Sequence, residues 1–347
     1  MKIALKNFAL MLLIGLLGLA RLQADELDDF DSISFDDAPL EEEFEHPDWF
    51  KLSFLHLRED LQEAIEADKQ GIIVYFGQQN CPYCKQLMTV NFGKSDIVTY
   101  ARKHFDFIAT DIWGDRQIIN FDGREMKEKE FAELQQAMFT PTMLFYDADG
   151  AEALRLRGYY PPYRFRAALE YVADGHYKKE SFREYLERAT PLPRFDLDDL
   201  NDQPFFISPP FMLDRSRIAG QRPLVVFFEQ GDCHACDILH SGPLQNEVIL
   251  GQLTMLDVVQ LNMWSDDKVV TPSGQRSTAK QWASDLGLFY TPTLIFFDNN
   301  GKEIIRVDSV VHFYRLRSVL DYVLSGAYQR GLSFQAWRQN PMPRTDE

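Results

Sequence analysis

Two cysteine pairs constrain this chain more than any other feature. Cys81-Pro82-Tyr83-Cys84 returns as Cys233-His234-Ala235-Cys236, 152 residues on, and the 347-residue chain has 4 cysteines in all. Each pair follows an apolar run of strand character. Each is followed after about 60 residues by a Thr-Pro-Thr, at Thr140-Pro141-Thr142 and Thr291-Pro292-Thr293. A repeat on this scale is a duplicated domain, because solenoid repeats have periods of roughly 20–50 residues.

The intervening pattern supports the duplication. Leu57, Leu61 and Ile65 fall on one helical face, and Gly71 ends that helix before the apolar run Ile72 to Phe76. A helix is expected through Lys85 to Asn91 and another over 96–103. A strand follows from Phe105 to Ile112, a loop around Asp122-Gly123, and a helix over 126–137. Strands at Thr142–Tyr146 and Ala153–Arg157 flank Asp147-Ala148-Asp149-Gly150, a hairpin turn signal. Helices marked by Phe165, Leu169 and Val172, and by Phe182, Tyr185 and Leu186, close the unit. The second half repeats this order, with strands at Leu224–Phe228 and Leu256–Leu261, Ser273-Gly274 for Asp122-Gly123, and a turn at Asn299-Asn300-Gly301. The expectation is α/β: two tandem domains over 49–190 and 204–338, each a central mixed sheet flanked by helices. Pro191-Leu192-Pro193 opens a linker over 191–203, and 339–347 is a tail.

The termini carry other signals. Lys2 and Lys6, the apolar run Phe8 to Leu19, and Leu22-Gln23-Ala24 read as an export signal over 1–24. Such a run is short of the roughly 20 residues that span a bilayer. Residues 25–48 are so acidic, with scattered apolar residues, that a disordered, solvated arm is expected. The net charge of −17 argues against nucleic acid as a partner. Export to an oxidising compartment, most simply a bacterial periplasm, is where cysteine pairs persist as disulfides. The histidines show no metal-ligand spacing, and no phosphate loop or Ser/His/Asp arrangement stands out. No metal and no cofactor beyond the two dithiols is expected.

A Cys-x-x-Cys between strand and helix has a specific chemical use. The first cysteine meets unpaired helix N–H groups that favour its thiolate, and the second lies one turn behind it. Cys81 is thus the expected nucleophile and Cys84 the resolving thiol. Pro82 suits the first helical turn, Tyr83 is a supporting residue between the cysteines, and Lys85 adds a positive charge. A proline opening a strand beside a turn suggests a cis bond, which sets Thr140 and Pro141, and Thr291 and Pro292, beside the cysteines as a peptide-binding edge. Half of a zinc site and a structural disulfide are alternative readings of either pair.

The order strand, Cys-x-x-Cys, helix, strand, helix, Thr-Pro strand, hairpin strand, helix resembles the thioredoxin fold in both halves, over about residues 49–338. More narrowly, Cys81-Pro82-Tyr83-Cys84, Asp111-Ile112-Trp113-Gly114-Asp115, Phe121-Asp122-Gly123, Thr140-Pro141-Thr142 and Arg157-Gly158-Tyr159 resemble the periplasmic SoxW-like thioredoxins encoded with bacterial sulfur-oxidation systems. That resemblance implies thiol–disulfide exchange, usually as a reductase supplied with electrons by an integral membrane thiol transporter. It departs from thioredoxin at Tyr75 and Phe227, where a buried Asp is usual, and at Asn80 and Asp232, where Trp is usual. Pro82-Tyr83 is similar to glutaredoxins and some periplasmic isomerases.

The expected function is a periplasmic protein-disulfide reductase acting on exported proteins. A disulfide oxidase or isomerase, and a non-catalytic binding module, are the alternatives. The two dithiols are expected to differ. His234 favours a Cys233 thiolate when protonated, while Asp232 and Asp237 oppose it. Cys233 and Cys236 are therefore expected to relay electrons more than to meet clients. Oligomeric state is not legible.

Overall fold

Gly71–Gly77 (β1) is buried along its whole length, as a run of Ile, Val, Tyr and Phe requires in a strand covered on both faces. In the computed structural model, which describes residues 32–42, 44–189 and 200–339, β1 pairs in parallel with Phe105–Asp111 (β2) and antiparallel with Thr142–Asp147 (β5). Glu152–Arg157 (β6) completes the order β2-β1-β5-β6. The second half repeats it. Leu224–Glu229 (β8) lies between Asp257–Asn262 (β9) and Thr293–Phe297 (β12), with Glu303–Val307 (β13) at the edge, while Phe211–Met212 (β7), Lys268–Val270 (β10) and Arg276–Thr278 (β11) form a separate small sheet. The hairpin turns also match. Asp147 and Asp298 each accept two backbone N–H groups through one carboxylate oxygen, and Gly150 and Gly301 take positive φ.

Helices cover both faces. In the first domain these are Leu57–Glu66 (α1), Pro82–Gln86 (α2), Ser95–His104 (α3), Glu128–Leu134 (α4), Pro162–Ala173 (α5) and Phe182–Ala189 (α6). The second domain has His234–Ser241 (α7), Glu247–Leu253 (α8), Ala279–Asp285 (α9), Phe313–Leu324 (α10) and Phe334–Gln339 (α11). Two local expectations change. Ile65 is exposed and Ala64 takes its place in the core, since α1 presents Leu57, Leu61 and Ala64 to the sheet. The helix expected from 126 starts at 128. Residues Glu125–Lys127 (β4) instead pair with Gln117–Ile119 (β3), and Asp122-Gly123 is the turn of that ribbon. The proposed signal over 1–24, the linker residues 191–199 and the tail beyond 339 lie outside the described residues. No helix among the described residues is long and apolar enough to cross a membrane.

The acidic arm requires a larger correction. Residues 32–42 and 44–48 are not a solvated tether. Ile33 and Asp37 are buried, and Phe35 packs edge-on against Tyr83, Tyr159 and His312. Composition predicts disorder because few apolar side chains are present. Here those few are placed in a groove that both domains build, and the buried acid finds donors there.

The domains meet through equivalent loops. The Val310 N–H donates to the Tyr159 carbonyl at 3.2 Å, and Tyr160 Oη donates to the Asp308 carbonyl at 2.7 Å. Tyr290 and Val310 of the second domain are part of the first domain's apolar core. Gly158 has φ of +95° and its Cα faces Ser309, its counterpart in the repeat. A side chain there would meet both backbone strain and the Ser309 hydroxyl. Gly158→Val is therefore expected to cost about 2–3 kcal/mol in denaturant unfolding, since positive φ alone costs about 1–3. Adding Ser309→Gly should recover the steric part only. An unfolding midpoint unmoved by Gly158→Val would contradict this packing.

Candidate functional site

Both dithiols stand where strand gives way to helix. Cys81 and Cys233 are helix N-cap residues, and each Sγ accepts the N–H of the second cysteine, at 3.0 Å from Cys84 and 3.2 Å from Cys236. Each pair is a disulfide, with Cα atoms 5.2 Å apart. The residues before them, Asn80 and Asp232, have φ of 57° and 50°. This accounts for their type, since Asn and Asp tolerate left-handed backbone better than a bulky residue such as Trp. Pro82 is the first residue of α2.

The Thr140–Pro141 and Thr291–Pro292 bonds are cis. Thr140 lies against the first dithiol, with Cys81 Sγ 3.2 Å from its Oγ1 and 3.7 Å from its carbonyl oxygen. At the second, Cys233 Sγ lies 3.5 Å from Thr291 Oγ1. Two glutamines with no counterpart among the sequence motifs brace the loops that lead into the dithiols. Trp113 donates its indole N–H to Gln78 at 2.7 Å, and Trp264 to Gln230 at 2.9 Å. Their recurrence at the repeat spacing was a usable signal.

Beyond this shared frame the sites differ. Cys81 is 1% exposed. The arm passes over it: the Leu40 N–H donates to the Asn80 carbonyl, and Gln86 donates to the Ser32 carbonyl. Tyr83 is a junction between arm and second domain. Its hydroxyl donates to Asp37 Oδ2 at 2.9 Å and accepts from the His312 N–H at 3.0 Å. Burial pushes the Tyr83 phenol far above its usual range. Asp37 also takes the N–H groups of Tyr314 and Arg315, at 3.0 and 2.8 Å, and so caps α10.

Lys85 is exposed, and its backbone N–H bonds to the Cys81 carbonyl in the helical pattern. The cation brought against the dithiol loop is Arg315, from the second domain. Its guanidinium carbon stands 3.4 Å from the Tyr83 ring centroid, and Nη2 donates to the Thr140 carbonyl at 2.8 Å. That carbonyl is also the neighbour of Cys81 Sγ, so the guanidinium is no farther from the sulfur than two contacts laid end to end. Burial lowers the Arg315 pKa from its usual value. No local sequence signal marks Arg315, because it reaches the site through the docking of two domains.

The second dithiol is turned towards the first domain. Cys233 is 7% exposed, and Ala235 and Ile238 of its helix pack on the first domain's core. His234, half-buried, opens α7. Asp232 and Asp237 are exposed, and Asn201 donates to Asp237 at 2.9 Å. Beneath α7 lies a feature absent from the first domain. Glu229, fully buried at the end of β8, accepts from His240 Nε2 at 2.9 and 3.0 Å and from Gln260 at 2.8 Å. Gly77 and Met88 hold these positions in the first domain. His240 stands four residues after Cys236, a spacing that puts both on one helical face and was open to reading.

The chain matches the thioredoxin-like domain family twice, over residues 57–173 and 212–324. It is similar to a solved thioredoxin-fold protein from Helicobacter pylori, with 24% identity over 35% of this chain and 85% of that one, at a TM-score of 0.30. A thioredoxin from Thermus thermophilus is 25% identical over 34% of this chain and 83% of its own, at a TM-score of 0.26. A DsbH oxidoreductase is 17% identical over 41% of this chain and 95% of its own, at 0.28. No curated protein matches the chain.

Proposed function

Since this chain belongs to the thioredoxin-like domain family, present twice along its length, we propose that it is a periplasmic disulfide reductase for exported proteins. Its first dithiol does the chemistry. The observation that carries this reading is Cys81: an N-cap cysteine with the cis Thr140–Pro141 edge against its sulfur and a guanidinium on the same carbonyl. Helix N–H groups and a nearby cation both favour the thiolate.

In the reduced protein the Cys81 thiolate attacks one sulfur of the client disulfide. A Cys81–client bond forms, and the other client sulfur leaves as a thiolate that takes up a proton. Cys84, deprotonated, then attacks Cys81 Sγ; the Cys81–Cys84 bond forms and the second client thiol is released. Two electrons pass to the client. An external dithiol, in our reading one on an integral membrane transporter, restores the pair. The second dithiol serves as a relay, because Asp232 and Asp237 flank it and its helix packs on the first domain.

Cys84→Ser should accumulate mixed disulfides between Cys81 and clients in cells, whereas Cys236→Ser should trap few or none. Equilibration with glutathione should place the Cys81–Cys84 couple near the potential of thioredoxin, about −270 mV. A value above about −150 mV would make the protein an oxidant or isomerase. Absence of trapped clients would leave a binding module.

A further inference from the structure

A cavity of about 390 Å³ opens beside Cys81 and is also lined by residues of the second domain. Cys81, Pro82 and Thr140 form one wall, and Phe334 and Arg338 of α11 face them. This is ample room for a few residues of an extended segment or a small molecule. Its charge is unbalanced. Arg315 is committed to the protein: its donors go to the carbonyls of Thr140 and Val310 and to the Ser309 hydroxyl. Arg338 is not. Its guanidinium stands 5.6 Å from the Trp113 ring and 5.8 Å from the Phe334 ring. Among the described residues no carboxylate forms an ion pair with it. Burial and the charge of Arg315 hold its pKa down to about 10. Asp37, the acid lining the cavity, already accepts three hydrogen bonds.

A half-buried guanidinium on two aromatic faces, repelled by a second cation and lacking a counter-charge, is a site for an anion. Arginine matches a carboxylate in a planar, two-bond geometry. The chain's own acidic arm, lying over the same dithiol, shows that a carboxylate-bearing segment is accepted on this face. We infer that the cavity recognises a carboxylate flanking the scissile disulfide of the substrate, with Arg338 as its cation. This deepens the exchange reading proposed above and rests on it.

The test uses the reduced full chain and three symmetric disulfides: 3,3′-dithiodipropionate (anionic), bis(2-hydroxyethyl) disulfide (neutral) and cystamine (cationic). Each rate is divided by that of dithiothreitol with the same disulfide, which removes intrinsic reactivity. Salt is held near 0.15 M, where charges beyond about 8 Å are screened. The anionic disulfide should lead the neutral one about tenfold, the cationic one should trail, and Arg338→Gln should cut the anion-to-neutral ratio about tenfold. Arg338→Lys should keep part of it. Equal normalised rates both here and in the peptide pair below, or an Arg338→Gln ratio unchanged from wild type in the class that shows a preference, overturn the inference and leave the exchange reading standing.

The same ratio for a peptide disulfide, with Glu or Gln beside each half-cystine, tells a polypeptide source from a small molecule. Preference in either class supports the inference, and preference in neither overturns it. Failure to reduce even the neutral disulfide sinks the exchange reading instead. Calorimetry on the oxidised protein with 3,3′-thiodipropionate, which bears the carboxylates without an S–S bond, then decides. Binding lost in Arg338→Gln supports the inference, and no binding overturns it.

Discussion

Asp37→Ala is expected to raise the alkylation rate of Cys81 in the reduced protein by one to two orders of magnitude. The arm over Cys81 is held at its centre by one carboxylate, which accepts Tyr83 Oη, the Tyr314 N–H and the Arg315 N–H. Hydrogen bonds to a charged group contribute about 1.5–3 kcal/mol each, and they do not add fully. Loss of the group as a helix cap alone costs about 0.5–2 kcal/mol. A net weakening of about 1.4–2.8 kcal/mol in arm docking corresponds to roughly 10–100-fold more time with Cys81 uncovered. N-ethylmaleimide labelling followed by mass spectrometry measures this, with Cys233 as internal control, at a pH where both thiols are ionised. A Cys81-to-Cys233 ratio equal to wild type would mean that the arm does not limit access.

Acid should loosen the fold at the same place. Burial, with a smaller push from Arg315, lowers the His312 pKa below its usual 6.5 despite the opposing pull of Asp37, a backbone hydrogen bond to Ile33 and Asp36. The folded protein therefore binds fewer protons at His312 than the unfolded chain, and this part of the stability is lost as pH falls through 6.5. The loss ends once pH passes the lower, folded value.

The second large effect is expected at the other dithiol's foundation. His240→Met puts the first domain's residue, Met88, at the equivalent position and leaves Glu229 with Gln260 as its side-chain partner. Both members of the pair are almost fully buried. Removing one partner of a buried hydrogen bond costs about 1–3 kcal/mol, and about 3 or more where the group left behind is a carboxylate that is neither solvated nor matched. In a domain of this size that lowers the thermal midpoint by roughly 10 °C or more. Removing both partners, in Glu229→Leu with His240→Met, should restore much of the loss, since replacing both sides of a buried hydrogen bond by apolar groups is often nearly neutral. A single-variant loss below about 1 kcal/mol, or a double variant as unstable as the single, would show that the pair is not coupled in this way.

The two sites were unequally legible. The dithiols, the Thr-Pro edges and the sheet order rest on local patterns that recur at one spacing, so each half checked the other. Asn80 and Asp232 read as departures from a related pattern; the structure shows them as left-handed residues entering the dithiol helices. Tyr75, also a departure, is fully buried, and its hydroxyl has no partner among the described residues. Gln78 and Gln230, and the Glu229–His240 pair, were accessible to a closer reading, because repeat spacing and helical periodicity point to them.

The arm is the instructive failure. Composition weighs how much apolar surface a segment carries against the entropy of ordering it. It contains no information about a groove formed by other parts of the chain, nor about a buried acid that three donors satisfy.

By itself, then, the sequence determined what depends on neighbours a few residues apart: strands, turns, capped helices, the Cys-x-x-Cys pairs and the proline edges of two repeated domains. Tertiary structure alone decided how those domains face each other. It set Arg315 and Arg338 of one beside Cys81 of the other, drew Asp37 between them, and turned the second dithiol inward. The reason is physical. Local patterning sets backbone conformation, whereas desolvation and charge at a site are sums over every group within a few ångströms, whatever its distance along the chain.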